Sequence, residues 1–321
     1  MSTRALSDDG GRYRWVIFGV TAAPWLVFLA GSSLGEIAPL VALSFLLGTP
    51  HVMATVGLYL QPDLQPHLRA HRLRYVVAPI GLVAASGLAF GLASASVGQG
   101  LLRAFIVWQL HHFTKQNLGM FSFWCRASSR AGPSTVERRL ILATTTVGVL
   151  GLVLTEEVRP QWHDQVRLVG IVLVVAGLVV AAVLGRSDRV RTMALAVPVL
   201  FYAPLCVFGP GFLFAAAAYQ AAHGAQYYLM VGTVVGGDRR IGGLTVLAVL
   251  GGGAALVASA TQFGYGNQAW ILGMAKGVVG AHFIADAGLW RLRDPQIRAV
   301  MTDRFGFLRG PVPAPQVATA G

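Results

Sequence analysis

The stretch LVGIVLVVAGLVVAAVL, Leu168–Leu184, holds 17 consecutive residues without a charged or polar side chain. An apolar run of roughly 17–25 residues has the length of a transmembrane helix and is too long for a buried strand. Nine further apolar stretches approach or reach spanning length. The sequence therefore predicts an all-α, polytopic transmembrane helix bundle of about ten spans, namely Trp15–Gly31, Glu36–Leu60, Tyr75–Ser96, Leu101–Trp124, Leu140–Thr155, Leu168–Leu184, Met193–Phe208, Phe212–Val235, Gly242–Ala260 and Gln268–Trp290.

The composition of the 321 residues agrees with this fold class. Hydrophobic residues make up 55% of the chain and charged residues 12%, and the mean hydropathy is +0.62. Soluble domains carry about 25% charged residues, so this chain lacks the polar side chains that would cover a soluble surface. These values exclude a soluble enzyme and a disordered chain. A disulfide scaffold is also excluded, because Cys125 and Cys206 are the only cysteines and form no CxxC motif.

The net charge of +12 indicates topology rather than a binding surface. Arginines cluster before the first stretch and after the even-numbered ones, as at Arg69–Arg74 and Arg186–Arg191, whereas the opposite loops carry few basic residues. The positive-inside rule then predicts cytoplasmic termini, in a multi-pass protein of a bacterial-type cytoplasmic (inner) membrane. No basic run with interleaved aromatics occurs, so we expect membrane lipids and no nucleic acid as partners. Residues 1–309 are predicted to form one integral-membrane domain, and Gly310–Gly321 a disordered tail.

Five of the eight histidines lie inside predicted spans, where ionisable side chains are costly and usually functional. His51, His112, His223 and His282 stand 11 to 15 residues before the charges that follow their segments. At 1.5 Å per residue these offsets correspond to roughly 16–23 Å, near the middle of the bilayer. Four helices thus bring imidazole to one height. We predict that the four histidines hold one metal ion, with His111 as the substitute for His112.

Polar residues recur at helical spacing beside these histidines. His282 and Asp286 are four residues apart, and a metal-bound histidine usually donates its second N–H to such a carboxylate. Pro50 directly precedes His51 and should loosen the helix so that the ring points inward. The only two lysines, Lys115 and Lys276, lie in histidine-bearing helices, which favours a polar cavity or an anionic partner. The remaining candidates for cofactor binding are Asp286, Gln226 and Gln116, of which Asp286 and Gln226 would orient ligands. The candidate catalytic groups are Tyr219, Tyr227 and Lys115, which would line the cavity together with Gln116.

The histidine pattern separates several classes of membrane protein. An intramembrane zinc protease needs an HExxH pair, which is absent, and di-iron desaturases carry more histidines in HxxxH and HxxHH clusters. An all-imidazole site suits iron, copper or zinc. A haem-binding electron-transfer or quinone-reacting protein is the main alternative, although paired haems need histidines at two depths. A proton-coupled transporter is the third class, and it predicts polar groups at different heights.

The segment Gly48-Thr49-Pro50-His51, with single histidines on later helices and a length near 300, distantly resembles the Brp/Blh family of bacterial integral-membrane β-carotene 15,15′-dioxygenases. The resemblance implies iron held by histidines from separate helices and oxidative cleavage of a long apolar polyene by O2. His51 matches the GxPH histidine of that family, and His112, His223 and His282 are the candidates for the other ligands. We therefore predict a membrane oxidoreductase, a non-haem iron oxygenase or dioxygenase that acts on an apolar lipid, isoprenoid or carotenoid. Non-haem iron is the predicted cofactor and haem the alternative; a lipid-phase substrate, O2 and a redox partner are the expected partners.

Overall fold

A computed structural model describes residues 10–34, 47–155, 163–203, 212–261 and 268–309. These residues form helices and turns and no strand, so the prediction of an all-α fold is confirmed for the described part of the chain. The α-helices, in chain order, are α1 Gly10–Leu34, α2 Thr55–Tyr59, α3 Gln65–Ala70, α4 Ala78–Leu92, α5 Ala95–Ala127, α6 Thr135–Thr155, α7 His163–Leu184, α8 Arg189–Leu200, α9 Phe212–Val235, α10 Arg239–Leu247, α11 Gly253–Thr261, α12 Ala269–Leu289 and α13 Pro295–Arg304.

Three helical segments of the described residues are long and apolar enough to cross a membrane. They are Leu73–Leu92, Asp164–Leu184 and Arg239–Val257, and most of their side chains face outward from the protein. The first and third include a π-helical turn, at Leu73–Val77 and Ala248–Gly252, that continues into an α-helix. These segments indicate membrane association. The count of ten spans and the side on which the termini lie stay predictions, and the tail Gly310–Gly321 falls outside the described residues.

The second apolar stretch, predicted as one helix over Glu36–Leu60, is broken where the structure describes it. Thr49–Ala54 form a 3-10 helix and only Thr55–Tyr59 are α-helical, while residues 36–46 lie outside the described part. Pro50 stands near the start of the 3-10 turn, and its ring and missing N–H favour such a helix start. His51 is therefore carried by a 3-10 turn and not by a long helix.

Close helix packing fixes the elements that carry the histidines. Helices α4 and α12 form the most extensive contact between elements. Gly277 makes this approach possible, because a Cβ atom there would lie 2.6 Å from the Cα of Val83. Helix α9 packs against α1 and against the 3-10 turn of His51, and α5 contacts α1, α6, α8 and α12.

Charged side chains join loops at the arginine-rich end of the molecule. Glu137 accepts two hydrogen bonds of 2.7 Å from Arg191, and the Asp188 carboxylate accepts hydrogen bonds from Arg130. Asp188 also caps the start of α8 by accepting a hydrogen bond from the backbone N–H of Arg191. The hydrogen bonds from Arg130 lower the pKa of Asp188 below its usual value, against a smaller opposing effect of burial.

Candidate metal centre

Four histidine side chains converge inside the helix bundle. His51 comes from the 3-10 turn, His112 from α5, His223 from α9 and His282 from α12. The His51 ring centroid lies 4.6 Å from that of His223 and 5.2 Å from that of His282. The His112 centroid lies 5.2 Å from each of the same two rings. All four residues are buried, with exposed fractions between 0% and 9%.

Two of these rings are anchored through Nδ1. The His51 Nδ1 hydrogen-bonds with the carbonyl oxygen of Gly48, which only an Nδ1–H can donate to, so its Nε2 carries the lone pair. The His282 Nδ1 lies 2.8 Å from the hydroxyl oxygen of Thr55. Such a hydrogen bond on one ring nitrogen is the usual support of a histidine that binds metal through the other.

Five other ring nitrogens have no hydrogen-bond partner among the described residues. They are Nε2 of His51, His112 and His282 and both ring nitrogens of His223, and all five are buried. One ligand atom from each of His51, His223 and His282 can be chosen so that the three lie within 4.8 Å of one another. The five nitrogens are therefore placed so that one ion could satisfy several of them at once.

Asp286 faces the same space from one turn beyond His282. Its Oδ2 lies 3.5 Å from Nε2 of His282 and 3.8 Å from Nε2 of His112. Its Oδ1 accepts a 2.9 Å hydrogen bond from the Tyr227 hydroxyl, which is 2.9 Å from the Thr55 hydroxyl oxygen. Thr55 in turn contacts His282, so the chain of contacts closes on itself. The predicted residues Asp286 and Tyr227 are thus brought to the imidazoles, and the carboxylate is placed where it could itself bind an ion.

The predicted glutamines lie beside the histidine cluster rather than in it. Gln116 donates hydrogen bonds to the backbone carbonyl of His223, at 2.9 Å, and to the side-chain oxygen of Gln226, at 3.0 Å. The Gln226 amide donates to Thr21 at 2.9 Å and to Asn117 at 3.1 Å. This network ties α1, α5 and α9 together and fixes the backbone that carries His223. Gln116 and Gln226 therefore support the cluster through the backbone, and not by a hydrogen bond to a ring.

Three further predicted residues lie away from the ring nitrogens. Tyr219 is buried in an apolar cluster, 5.6 Å between centroids from Phe113, and no polar contact joins it to the histidines in the described residues. His111 and Lys115, which lie one turn apart on α5, are exposed, whereas His112 is buried. The structure therefore selects His112 from the adjacent pair, since neighbours on a helix point about 100° apart. We expected Lys115 to line the cavity, but in the structure its side chain is exposed.

Aromatic rings that the sequence interpretation did not single out enclose the imidazoles. Phe283 stacks on His112 at 4.1 Å between centroids, and Phe113 lies 3.9 Å from His223. Each of these phenylalanines directly follows a cluster histidine in the sequence, namely His282 and His112. Thr55 was missed as well, although its spacing of four residues from His51 is the same signal that pointed to Asp286. These two phenyl rings surround the polar atoms of the centre with apolar surface.

A cavity of about 60 Å³ opens beside His51. Its walls combine apolar side chains with the polar side chains of Thr49, His51, Lys276 and two glutamines. The ammonium group of Lys276 lies 5.3 Å from the ring centre of Phe105, at a distance typical of a cation–π contact. The cavity has room for several water-sized molecules next to an imidazole; its lining residues include Val52, Phe105, Gln109, Phe113, Gln220, Leu256, Lys276 and Phe283.

The donor set of the cluster defines what it can bind. Four neutral imidazoles with one nearby carboxylate suit iron, copper or zinc, and not the oxygen-seeking ions Ca2+ and Mg2+. Two sets of ligand atoms lie within 4.8 Å of one another, His51 with His223 and His282, and His112 with His282 and Asp286, so His282 belongs to both. No protein-family model, curated protein or solved structure matches this chain.

Proposed function

We propose that this chain is a multi-pass membrane metalloenzyme in which His51, His112, His223 and His282 hold one non-haem iron ion. We further propose that it is an oxygenase or dioxygenase that uses O2 on an apolar lipid, isoprenoid or carotenoid. One observation carries the metal assignment: five imidazole nitrogens of these histidines are buried without a hydrogen-bond partner in the described residues, and ligand atoms of His51, His223 and His282 lie within 4.8 Å of one another. The distant resemblance to the Brp/Blh family supports the choice of iron and of an isoprenoid substrate.

The energetic cost of the cluster supports a bound ion. Each buried nitrogen that lacks a partner costs about 1–3 kcal/mol, and several such atoms together would offset much of the stability of a domain. Coordination of one cation would satisfy at most four of these five atoms, because the two nitrogens of the His223 ring point apart and cannot bind the same ion. Iron bound there would supply the reaction with O2 that no amino-acid side chain provides.

The chain's own residues have separate tasks in this proposal. The Tyr227 hydroxyl donates to Oδ1 of Asp286, which keeps the carboxylate oriented toward His112 and His282. Thr55 fixes the ring plane of His282 by its contact with Nδ1. Phe113 and Phe283 pack against the imidazoles and also line the cavity beside His51, which would offer a place for O2 and a substrate segment.

The membrane arrangement belongs to the same proposal. We infer ten spans with both termini in the cytoplasm of a bacterial-type inner membrane, supported by the arginine distribution and by three helices of spanning length. A centre at mid-membrane depth suits a substrate that enters from the lipid phase. A redox partner would dock at the arginine-rich side. A haem protein is less well supported, because the neighbouring imidazole rings lie only 4.6–5.2 Å apart between centroids. A proton-coupled transporter is also less well supported, because the buried histidines form one cluster and not a path across the membrane.

Metal analysis of the purified full-length protein tests this function. We expect about one iron per chain, no haem absorption band, and loss of iron in the single variants His51→Ala, His112→Ala, His223→Ala and His282→Ala. The exposed neighbour His111→Ala is the matched control and should keep its iron. A haem band would replace the proposal with its haem alternative, and a protein that takes up no metal under any loading condition would overturn it.

A further inference from the structure

A second group of metal-ligating side chains lies outside the buried centre. His67 belongs to α3, His71 directly follows that helix, and Asp294 precedes α13. One ligand atom from each can be chosen so that all three lie within 4.8 Å of one another. The two rings are 4.5 Å apart between centroids, and Nδ1 of His67 lies 3.8 Å from Oδ1 of Asp294. The group therefore joins two parts of the chain that are more than 200 residues apart in sequence.

Hydrogen bonds hold two of these three side chains in place. The Nε2 of His67 lies 3.0 Å from the hydroxyl oxygen of Tyr75, which leaves Nδ1 toward Asp294. Oδ1 of Asp294 accepts backbone hydrogen bonds from Gln296 at 3.0 Å and from Ile297 at 3.1 Å. A hydrogen bond on one ring nitrogen is a common support of a metal-binding histidine, and the two backbone hydrogen bonds hold the Asp294 carboxylate in position. The group is thus partly organised before any ion arrives.

Burial differs across the group. His67 is 4% exposed, whereas His71 is exposed and Asp294 is partly exposed. An ion held here would rest on a buried ligand and keep an open side toward the surroundings. The His67–Asp294 distance of 3.8 Å is longer than a hydrogen bond, so these two groups leave space between them that a coordinated ion can fill.

The charges and amides around the group narrow the kind of ion. The positive charge of Arg74 lies near His67, and the side chain of Gln296 hydrogen-bonds with the His67 ring. An ion must displace that amide and overcome the repulsion of the arginine. Ca2+ and Mg2+ bind largely through charge and oxygen ligands, so they would neither displace the amide nor overcome the repulsion of the arginine. A transition-metal ion, which forms strong bonds to imidazole nitrogen, is better suited to do both.

We propose that His67, His71 and Asp294 form a second metal site, which binds a divalent transition-metal ion such as Zn2+ at the surface of the protein. The ion would link the region after α2 to the C-terminal helix α13. An ion pair between Asp63 and Arg304, 2.6 Å long, already connects the same two regions. The site shares no residue with the buried centre, so it stands whether or not the proposed oxygenase function holds.

Zinc titration of the full-length protein in detergent, after removal of metal by a chelator, tests this site. The wild type should bind one Zn2+ more per chain than His71→Ala and Asp294→Asn, or bind it at least about tenfold more tightly. Asn at position 294 can still accept the two backbone hydrogen bonds that start α13, so this variant removes the negative charge and keeps the helix cap. His111→Ala removes an exposed histidine elsewhere and should bind as the wild type does.

Zinc bound at the buried centre contributes equally to all four proteins, so only their differences report on the surface site. Thermal unfolding gives a second readout, because an ion that binds only the folded state raises the unfolding midpoint. Zn2+ should raise the midpoint of the wild type and of His111→Ala more than that of His71→Ala. Equal zinc binding by the wild type and His71→Ala, or the same loss in His111→Ala, would overturn the proposal.

Discussion

Gly224 gives the sharpest test of how the buried centre is built, because it lies next to His223 and against the turn that carries His51. A Cβ atom at position 224 would lie 2.6 Å from the carbonyl carbon of Leu47, still closer to its oxygen, and 3.3 Å from Nδ1 of His51. The obstructing atoms of Leu47 belong to the backbone and cannot rotate away. The substitution Gly224→Ala must therefore move the turn or helix α9.

The size of this displacement follows from the contact distances. Moving the Leu47 carbonyl carbon from 2.6 Å to ordinary contact at 3.4 Å requires a shift of about 0.8 Å, and its oxygen, which lies closer, requires a larger one. Metal–ligand distances tolerate only about 0.2 Å, and a misplacement of about 1 Å can cost roughly 100-fold in a reaction. Crowding of this kind costs about 1–3 kcal/mol of stability, and the better helix propensity of alanine returns up to about 1 kcal/mol. We therefore expect a folded protein that has lost most of its metal.

The assay compares iron per chain and the thermal-unfolding midpoint in Gly224→Ala, Gly232→Ala and the wild type. Gly232 lies on the same helix, and among the described residues no atom beyond its own helical turn lies within 4 Å of the Cβ position there. Gly232→Ala should therefore keep its iron and unfold at an equal or slightly higher temperature. If Gly224→Ala holds as much iron as the wild type, the packing of α9 against the turn does not position His51, and the reasoning is refuted.

Three further outcomes concern single side chains. His112→Ala should abolish metal binding while His111→Ala preserves it, because only the first ring is buried in the cluster; equal metal content in both would contradict this assignment. Asp286→Asn removes the charge that faces the imidazoles, so a chelator-competition assay should show metal affinity about 10–100-fold lower, and unchanged affinity would exclude a role for the carboxylate. Hydrogen bonds from Arg130 lower the pKa of Asp188 below its usual 3.8, so this carboxylate stabilises the fold above about pH 3.8 and less as the pH falls below it. Asp188→Asn should reduce the loss of thermal stability in acid, and parallel melting curves of the two proteins from about pH 6 to pH 2 would count against the ion pair.

The fold class could be predicted from the sequence because apolar runs as long as Leu168–Leu184 have few other structures open to them. Helix α7, His163–Leu184, covers that run and extends it at the N-terminal end. The break at Pro50 was only partly predictable. Proline indicates a loosened helix, but the change to a 3-10 turn depends on contacts with α9 and α11, which no local pattern contains.

The membership of the histidine cluster was predictable from depth alone. Residues at one height on several helices can meet, and His51, His112, His223 and His282 do meet in the structure. Side-chain direction was less predictable, because it depends on how each helix is rotated against its neighbours. Lys115 therefore proved exposed, and the glutamines hold the backbone of α9 instead of contacting the rings.

Depth in the membrane, which predicted the buried cluster, did not predict the surface group of His67, His71 and Asp294. Both histidines lie outside the predicted spans, and nothing in their local sequence indicates that Asp294 folds back onto them. The two histidine groups also differ in how an ion would reach them. Around the buried centre, Phe113 and Phe283 cover part of the rings and His51 borders a small cavity, so we expect slow metal exchange there, whereas at the surface the exposed His71 leaves one side of the group accessible. Slow exchange suits a cofactor that stays with the protein, and fast exchange suits an ion whose occupancy follows its concentration. One chain would thus use imidazole for two different purposes, separated by burial and not by ligand chemistry.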